Sequence, residues 1–162
     1  MRRSNLIQYN SPLGALALQS DGEYLAGESF GSPVNAGYTS CAGIPALEKT
    51  VWWLDIYFSG GIPDFTPPIR LNVTPFCKEV CGILLTIPYG QTMTYGEIAK
   101  ITAVRRGIKR MSAQAIGGAV HRNPIAIIIP CHRVIGSDGS LTGYAAGLDI
   151  KEKLLKIEKI IN

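Results

Sequence analysis

Histidine and cysteine, the side chains that most often bind metals or form disulfides, are scarce in this 162-residue chain. It contains two histidines, His121 and His132, and neither belongs to a paired Cys/His arrangement at zinc-site spacing. The four cysteines, at positions 41, 77, 81 and 131, show no disulfide pattern of a secreted protein. We therefore expect no metal site, no cofactor and a reducing compartment.

Long apolar runs are also missing. No run reaches the roughly 20 residues that a membrane helix needs, and no signal-peptide core follows Met1. We therefore expect no membrane partner and a cytoplasmic protein, associated with the nucleoid in a prokaryote or located in the nucleus in a eukaryote. With 46% hydrophobic and 17% charged residues, the chain can bury a core and is not disordered.

Acidic residues are absent between Glu97 and Asp138. Residues 73–162 contain 12 basic and 6 acidic side chains, whereas residues 1–72 contain 4 basic and 6 acidic ones. A one-sided positive field of this kind favours the binding of a polyanion. An ordinary solvated basic face is the alternative, because a mild charge bias often has no further meaning.

The first part of the chain predicts a small antiparallel sheet followed by a helix. Strand-like segments at residues 6–9, 16–19 and 24–27 are separated by turn signals. A loop rich in Gly, Ser and Pro covers residues 31–45. The helix that follows places apolar side chains on one face: Leu47, Val51, Leu54 and Phe58. A linker rich in proline then leads to a second domain, so we expect domains at 1–72 and 73–162.

The second domain is predicted to be mainly helical. Thr74 followed by Pro75 is typical of a helix start. Thr94 and Glu97 form a capping-box pattern for a helix that reaches about Ile101. A basic connector at 104–110 follows, and Ser112 begins a further helix that reaches about Val120. The pair predicts a helix-turn-helix, and the fold class is α+β.

The segment Pro130-Cys131-His132-Arg133-Val134 follows a buried apolar run inside the basic region. A thiol in basic surroundings is a candidate nucleophile, although a free Cys is also often an inert core residue. Farther on, a helix from about Asp149 to Ile161 carries Glu158 on its apolar arc. A buried carboxylate needs a partner, which is either His132 or, for a carboxylate at the rim, Lys151 or Lys159.

Together these motifs resemble the O6-alkylguanine-DNA alkyltransferases. The resemblance is strongest over residues 73–162, and it rests on the following segments: Ile87-Pro88-Tyr89-Gly90, Thr94-Tyr95-Gly96-Glu97-Ile98-Ala99, Ala115-Ile116-Gly117-Gly118-Ala119, the Cys131 segment, and Gly139-Ser140-Leu141-Thr142-Gly143-Tyr144. It implies a ribonuclease-H-like first domain. It also implies DNA repair by irreversible, single-turnover transfer of an alkyl group from guanine O6, and from thymine O4, to Cys131.

The resemblance also implies a role for each site residue. In the family a water links the nucleophilic thiol to the imidazole, which corresponds to His132, and Glu158 orients that ring. Asn123 ties the recognition helix to the active-site turn, and Tyr95 donates a hydrogen bond to the leaving guanine. The flipped base packs against Tyr144, and the backbone of Tyr144, Ala145 and Ala146 reads its edge.

The partner implied by the family is double-stranded DNA carrying O6-alkylguanine, bound by a monomer through the minor groove. The small residues of the helix after Ser112 suit that narrow groove. The DNA-binding candidates are Arg105, Arg106, Lys109, Arg110, Ser112 and Ala113. Gln114 stands where relatives have an Arg that fills the space of the flipped base, and this is the main departure from the family.

Two alternatives remain from other functional classes. A non-enzymatic alkyl-lesion-binding protein is one, although relatives of that kind lack the active-site Cys. A Cys-His hydrolase is the other, and it does not explain the basic helix pair.

Overall fold

The structure is a computed structural model that describes residues 4–31 and 40–162. The chain divides after residue 72, where the domain boundary is expected. The first unit runs up to Asn72 and also includes Pro124–Ala126, and the second comprises Val73–Asn123 and Ile127–Asn162. Residues 124–126 lie with the first unit because their backbone is hydrogen-bonded to that of Glu28. The Glu28 N–H donates to Pro124 O, and the Glu28 carbonyl accepts from Ala126 N–H.

The first unit contains an antiparallel sheet in chain order, made of β1 (Asn5–Ser11), β2 (Gly14–Ser20) and β3 (Leu25–Phe30). The third strand begins and ends later than predicted. Its register places Glu28 opposite Leu18, which itself lies opposite Ile7. Because directly paired residues share a face, Glu28 lies in an apolar row, and all three residues are buried.

Helix α1 (Pro45–Phe58) follows the sheet. Leu47 and Leu54 are buried as predicted, but Val51 and Phe58 are only partly covered. The stacked pair Trp53 and Tyr57, with ring centroids 5.3 Å apart, is buried instead. Large aromatic side chains bury more apolar area than Val, which rotates the buried face of the helix. The predicted loop at 31–45 lies mostly outside the described residues, and it ends where Pro45 begins α1.

The second unit contains most of the helices. Its elements are α2 (Pro75–Leu84), β4 (Met93–Thr94), α3 (Tyr95–Arg106), α4 (Ala113–His121), β5 (Val134–Ile135) and α5 (Leu148–Ile157). Strands β4 and β5 pair in parallel, which brings the segment before α3 beside the segment after Cys131. The fold of the chain is therefore α+β, as predicted.

The predicted helix starts are present in the structure. The Thr74 hydroxyl accepts a hydrogen bond from Cys77 N–H at the start of α2. At α3, Thr94 and Glu97 make the reciprocal bonds of a capping box. The Ser112 hydroxyl accepts from the N–H groups of Gln114 and Ala115 at the start of α4. Side-chain oxygens thus satisfy N–H groups that have no partner within the helix.

Two predicted helix ends are wrong. Helix α3 continues to Arg106, so residues 104–106 are helical rather than a connector, and Gly107 ends the helix at φ 64°. Helix α5 ends at Ile157 rather than near Ile161. Lys159 adopts φ 58°, and the N–H groups of Lys159 and Ile160 donate to Lys156 O and Leu155 O. This is the bonding of a Schellman ending, and it places Glu158 at the C-cap.

Candidate active site

Cys131 begins a single turn of 3-10 helix, Cys131–Arg133. The apolar run before it is buried, and Ile127 adopts φ 64°, a strained value for a β-branched residue. Asn123 Nδ2 donates to Ile129 O at 2.9 Å, and Cys131 N–H donates to the same carbonyl at 2.7 Å. The Asn123 amide therefore fixes the backbone that positions Cys131. Only 8% of the surface of Cys131 is exposed.

His132 and Glu158 contact each other inside the second unit. His132 Nε2 lies 2.6 Å from Glu158 Oε1, and both side chains are fully buried. A carboxylate only accepts, so we assign the ring proton to Nε2. In a neutral imidazole Nδ1 then keeps its lone pair, and no described residue hydrogen-bonds to it. Burial lowers the pKa of His132, against the opposing effect of Glu158, so the ring is neutral at pH 7.

Arg133, which the sequence did not single out, is the second partner of Glu158. Its Nε and Nη2 donate to the two carboxylate oxygens at 2.8 and 3.0 Å, and Nη1 donates to Ile87 O at 2.6 Å. Burial opposes ionisation of Glu158, but the bonds and charges of His132 and Arg133 lower its pKa to about 2. Glu158 is thus an ionised anchor for two consecutive residues of the Cys131 turn. It does not contact Lys151 or Lys159 through any described ion pair.

Lys151 is the other functional candidate that sequence reasoning missed. Its side chain is fully buried, and Nζ donates to Val134 O at 2.5 Å and to Thr142 O at 2.9 Å. A signal existed in the sequence: positions 151, 154, 155 and 158 share one helical face. That spacing identified Glu158, and it applies equally to Lys151.

Tyr95, at the first position of α3, contacts the loop that follows β5. Its hydroxyl donates to Thr142 O at 3.1 Å, so it shares that acceptor with Lys151. The loop passes close to the ring: a Cβ added at Gly143, where φ is 59°, would lie 3.5 Å from the Tyr95 hydroxyl. That distance is an ordinary van der Waals contact, so glycine is favoured there by the left-handed backbone conformation rather than by lack of space.

A cavity of about 790 Å³ lies beside Tyr95. Its described lining includes Tyr95, Gln114, Gly117, His121, Ser137 and Gly143. This volume suits a small molecule or a nucleobase. Tyr144 is buried and Ala145 is exposed, with Ala146 between these extremes; none of the three is among the described lining residues. Gln114 does line the cavity, from the first turn of α4.

The basic side chains around the α3–α4 turn are not equivalent. Arg105, Lys109 and Arg110 are exposed. Arg106 is held, because its Nε and Nη2 bond to Glu79 Oε2 at 2.9 and 2.8 Å and its guanidinium lies over the Phe76 ring. Ser112 and Ala113 are exposed at the start of α4. The turn therefore presents Arg105, Lys109 and Arg110 as the basic groups available to a ligand.

The described part of the chain has neither a cluster of metal ligands nor a helix of membrane-spanning length. Across residues 4–31 and 40–162, no three His, Cys, Asp or Glu side chains are grouped so that they could hold a metal ion. No helix in those ranges is long and apolar enough to cross a bilayer.

Among the known proteins and families, some match mainly the second unit and others match nearly the whole chain. Residues 75–160 match the model of the 6-O-methylguanine DNA methyltransferase DNA-binding domain. The methylated-DNA–protein-cysteine methyltransferase of Methanosarcina acetivorans is 52% identical over 105 residues, which are 65% of this chain and 64% of that protein. The protein of the same name from Mycobacterium leprae is 42% identical over 154 residues, 93% of this chain and 89% of that protein.

A solved structure is also similar. The structure of Mycobacterium tuberculosis OGT in complex with DNA has a TM-score of 0.78 and 38% identity, and it covers 96% of this chain and 92% of that one. The family and the fold predicted from the motifs are therefore confirmed. This chain belongs to the methylated-DNA–protein-cysteine methyltransferase family.

Proposed function

We propose that this chain repairs DNA by transferring a methyl or small alkyl group from guanine O6 to Sγ of Cys131. The observation that carries the proposal is the buried His132–Glu158–Arg133 cluster next to a cysteine on a buried 3-10 turn. A neutral histidine that is fixed by a carboxylate, with its other nitrogen unprotonated, is the arrangement that activates a nucleophile.

The transfer is a displacement at saturated carbon. The thiol proton passes, through a water, to Nδ1 of His132. Sγ then forms a bond to the alkyl carbon as the C–O6 bond breaks, and the bonding electrons remain on the guanine. A free thiol with a pKa of ~8.5 is mostly protonated at pH 7, so the base supplies the reactive form.

Tyr95 completes the step by donating a hydrogen bond to the ring nitrogen of the leaving guanine. Its hydroxyl donates to Thr142 O in the structure, so donation to the guanine requires that the hydroxyl exchange this acceptor. Charge that develops on the guanine during bond breaking is then stabilised where it forms. The resemblance to the family assigns the wall of the base pocket to Tyr144 and the reading of the base edge to the backbone of residues 144–146, although none of these residues is among the described lining of the cavity beside Tyr95.

The partner is double-stranded DNA that carries O6-alkylguanine, and α4 enters the minor groove. The target atom lies inside the base stack, so the base must be flipped out at a cost of roughly a few kcal/mol. The small residues Ala113 and Gly118 on α4 suit a narrow groove. Arg105, Lys109 and Arg110 contact phosphates, and Gln114 occupies the place of the flipped base. The protein acts as a cytoplasmic or nucleoid monomer.

Each molecule acts once, because the thioether on Cys131 has no route back to the thiol. Thymine O4 presents the same alkyl–oxygen bond, so O4-alkylthymine is a second substrate. The test is to incubate the protein with a methylated oligonucleotide and to measure the intact mass. One added methyl per chain, mapped to Cys131, is expected.

The control is Cys131→Ser, which should not gain mass but should still bind DNA, because the sulfur contacts no phosphate. Methyl on Cys77 or Cys81 would contradict the site. Unchanged mass in the wild type with retained lesion binding would favour a non-enzymatic lesion binder, and repeated turnover of an ester would favour a hydrolase.

A further inference from the structure

Lys151 is an unusual residue for the interior of a small domain. Lysine is almost never fully buried without a charged partner, yet this side chain is 0% exposed. The described residues contain no ion pair to it; its ammonium group donates instead to two backbone carbonyls, Val134 O and Thr142 O. The cost of burying this charge calls for a functional explanation.

The two carbonyls belong to two different parts of the site. Val134 directly follows the Cys131 turn, and its N–H donates to Cys131 O. Thr142 lies on the loop that approaches Tyr95, and its carbonyl also accepts the Tyr95 hydroxyl. When Tyr95 turns to another acceptor, Lys151 still holds Thr142. The ammonium group thus joins the segment of the nucleophile to the loop of the base pocket.

Among the described residues around Cys131, Lys151 is the charged side chain that has no counter-charge. Arg133 and Glu158 are paired with each other through two bonds, and His132 is neutral because burial lowers its pKa. Cys81, on α2, is kept as a thiol, because burial raises its pKa to about 11. Tyr95 also stays protonated, because burial raises its pKa. Burial lowers the pKa of Lys151 to about 8, and the charge of Cys131 acts in the opposite direction.

We propose that Lys151 is a positioning residue for alkyl transfer: it clamps the base-pocket loop to the Cys131 turn and supplies the positive charge that favours the thiolate of Cys131. This inference rests on the proposed function. Its charge component concerns the thiol alone, however, and can be measured without DNA.

The test compares Lys151→Met, which removes charge and donors, with Lys151→Gln, which keeps donors, and Lys151→Arg, which keeps charge. Lys153→Met, an exposed position on α5, is the matched control. Alkylation of Cys131 by iodoacetamide is followed against pH, and the Cys131 peptide is quantified by mass spectrometry so that the other cysteines do not contribute. Folding is checked by circular dichroism.

We expect the pH midpoint of Cys131 alkylation to rise in Lys151→Met and Lys151→Gln and to stay near the wild-type value in Lys151→Arg and Lys153→Met. Each unit of rise lowers the thiolate fraction at neutral pH about tenfold. If Lys151→Met does not fold, the pH midpoints of Lys151→Gln and Lys151→Arg are compared to decide whether the charge of Lys151 favours the thiolate. Equal midpoints in these two variants would overturn this charge role.

The clamp has its own readout, hydrogen exchange of the backbone at residues 142–147. In the wild type, Gly147 N–H donates to Tyr144 O in this loop. Exchange should accelerate in Lys151→Met but not in Lys153→Met, and unchanged exchange would overturn the clamp. If the wild type fails to accept methyl from DNA, the proposed function fails, whereas the thiol and exchange measurements still decide the role of Lys151.

Discussion

Glu158 shows, at the scale of single residues, how one carboxylate can organise a site. It accepts from the His132 ring, from two nitrogens of Arg133 and, at 3.2 Å, from Gly90 N–H. The first of these fixes the tautomer of the base, and the others stabilise the ionised carboxylate and connect it to the backbone near Tyr89. Catalytic orientation and local stability therefore depend on the same two oxygens.

Glu158→Gln should slow single-turnover methyl transfer by roughly 10²-fold or more, because the base loses the charge that supports its protonated form. It should also destabilise the protein by roughly 3–5 kcal/mol, because the buried Arg133 loses its counter-charge. Quenched-flow transfer assays and urea denaturation measure the two effects. Glu152→Gln, at an exposed position of α5, is the control and should change neither. A wild-type rate in folded Glu158→Gln would make Glu158 a structural carboxylate only.

At the scale of elements, the α3–α4 pair combines basic residues of two kinds. Arg106 connects the end of α3 to α2 through Glu79 and Phe76, whereas Lys109 and Arg110 are exposed on the turn between the helices. Position in the fold, rather than charge alone, therefore decides which basic residues can contact phosphates.

The logarithm of the association constant for DNA falls as the logarithm of the salt concentration rises. Lys109→Ala and Arg110→Ala should each make this slope less negative by about 0.9, the contribution of one phosphate contact on duplex DNA. Arg106→Ala should change that slope least and should lower thermal stability most, because it removes a contact between two helices. Fluorescence anisotropy with unmodified duplex at several salt concentrations measures the slopes. Equal slope changes in all three variants would mean that Arg106 leaves Glu79 to bind DNA.

The role of Gln114, at the start of α4, can be tested by comparing double-stranded with single-stranded substrates. Its uncharged amide both donates and accepts, so it should pair with the edge of the orphaned cytosine in a duplex. Gln114→Ala should therefore slow repair of double-stranded DNA much more than repair of a single strand, which has no orphaned base. Equal slowing on both substrates, measured as single-turnover rates, would show that Gln114 does not fill the gap.

At the scale of the whole molecule, stability should depend on pH through two buried carboxyl groups with opposite shifts. Burial raises the pKa of Glu28 well above its ordinary value, and no described residue hydrogen-bonds to its oxygens. The folded state then binds more protons than the unfolded state, so stability falls as pH rises above about 4.3. Glu158, with its lowered pKa, instead loses stability as pH falls from about 4.3 towards 2.

Glu28→Leu should therefore stabilise the protein at pH 7.5 more than at pH 4.5, because it removes a buried group that must take up a proton or remain charged. Urea denaturation of wild type and variant at both pH values measures the difference. Glu23→Leu, an exposed position before β3, is the control. An equal effect of Glu28→Leu at the two pH values would show that Glu28 has the same pKa folded and unfolded.

Features that depend on neighbours along the chain could be predicted from the order of the amino acids. The caps at Thr74, Thr94 and Ser112 follow from hydroxyl groups placed two or three residues before unpaired N–H groups. The candidate nucleophile and its family followed from the contiguous Cys131 segment. Glu158 was found because a charge on an apolar helical face needs a partner, and that pattern is readable at a spacing of three and four residues.

The partners of residues that are distant along the chain, in contrast, depend on how the helices and strands pack. Arg133 reaches Ile87, Tyr95 reaches Thr142, and Arg106 reaches Glu79, and none of these pairs shares a local pattern. The early end of α5 depends on Lys159 accepting a left-handed conformation, which Lys rarely does without a favourable environment. Lys151 was overlooked because lysine is ordinarily exposed, and only the two carbonyls that the fold brings to its ammonium group make its burial possible.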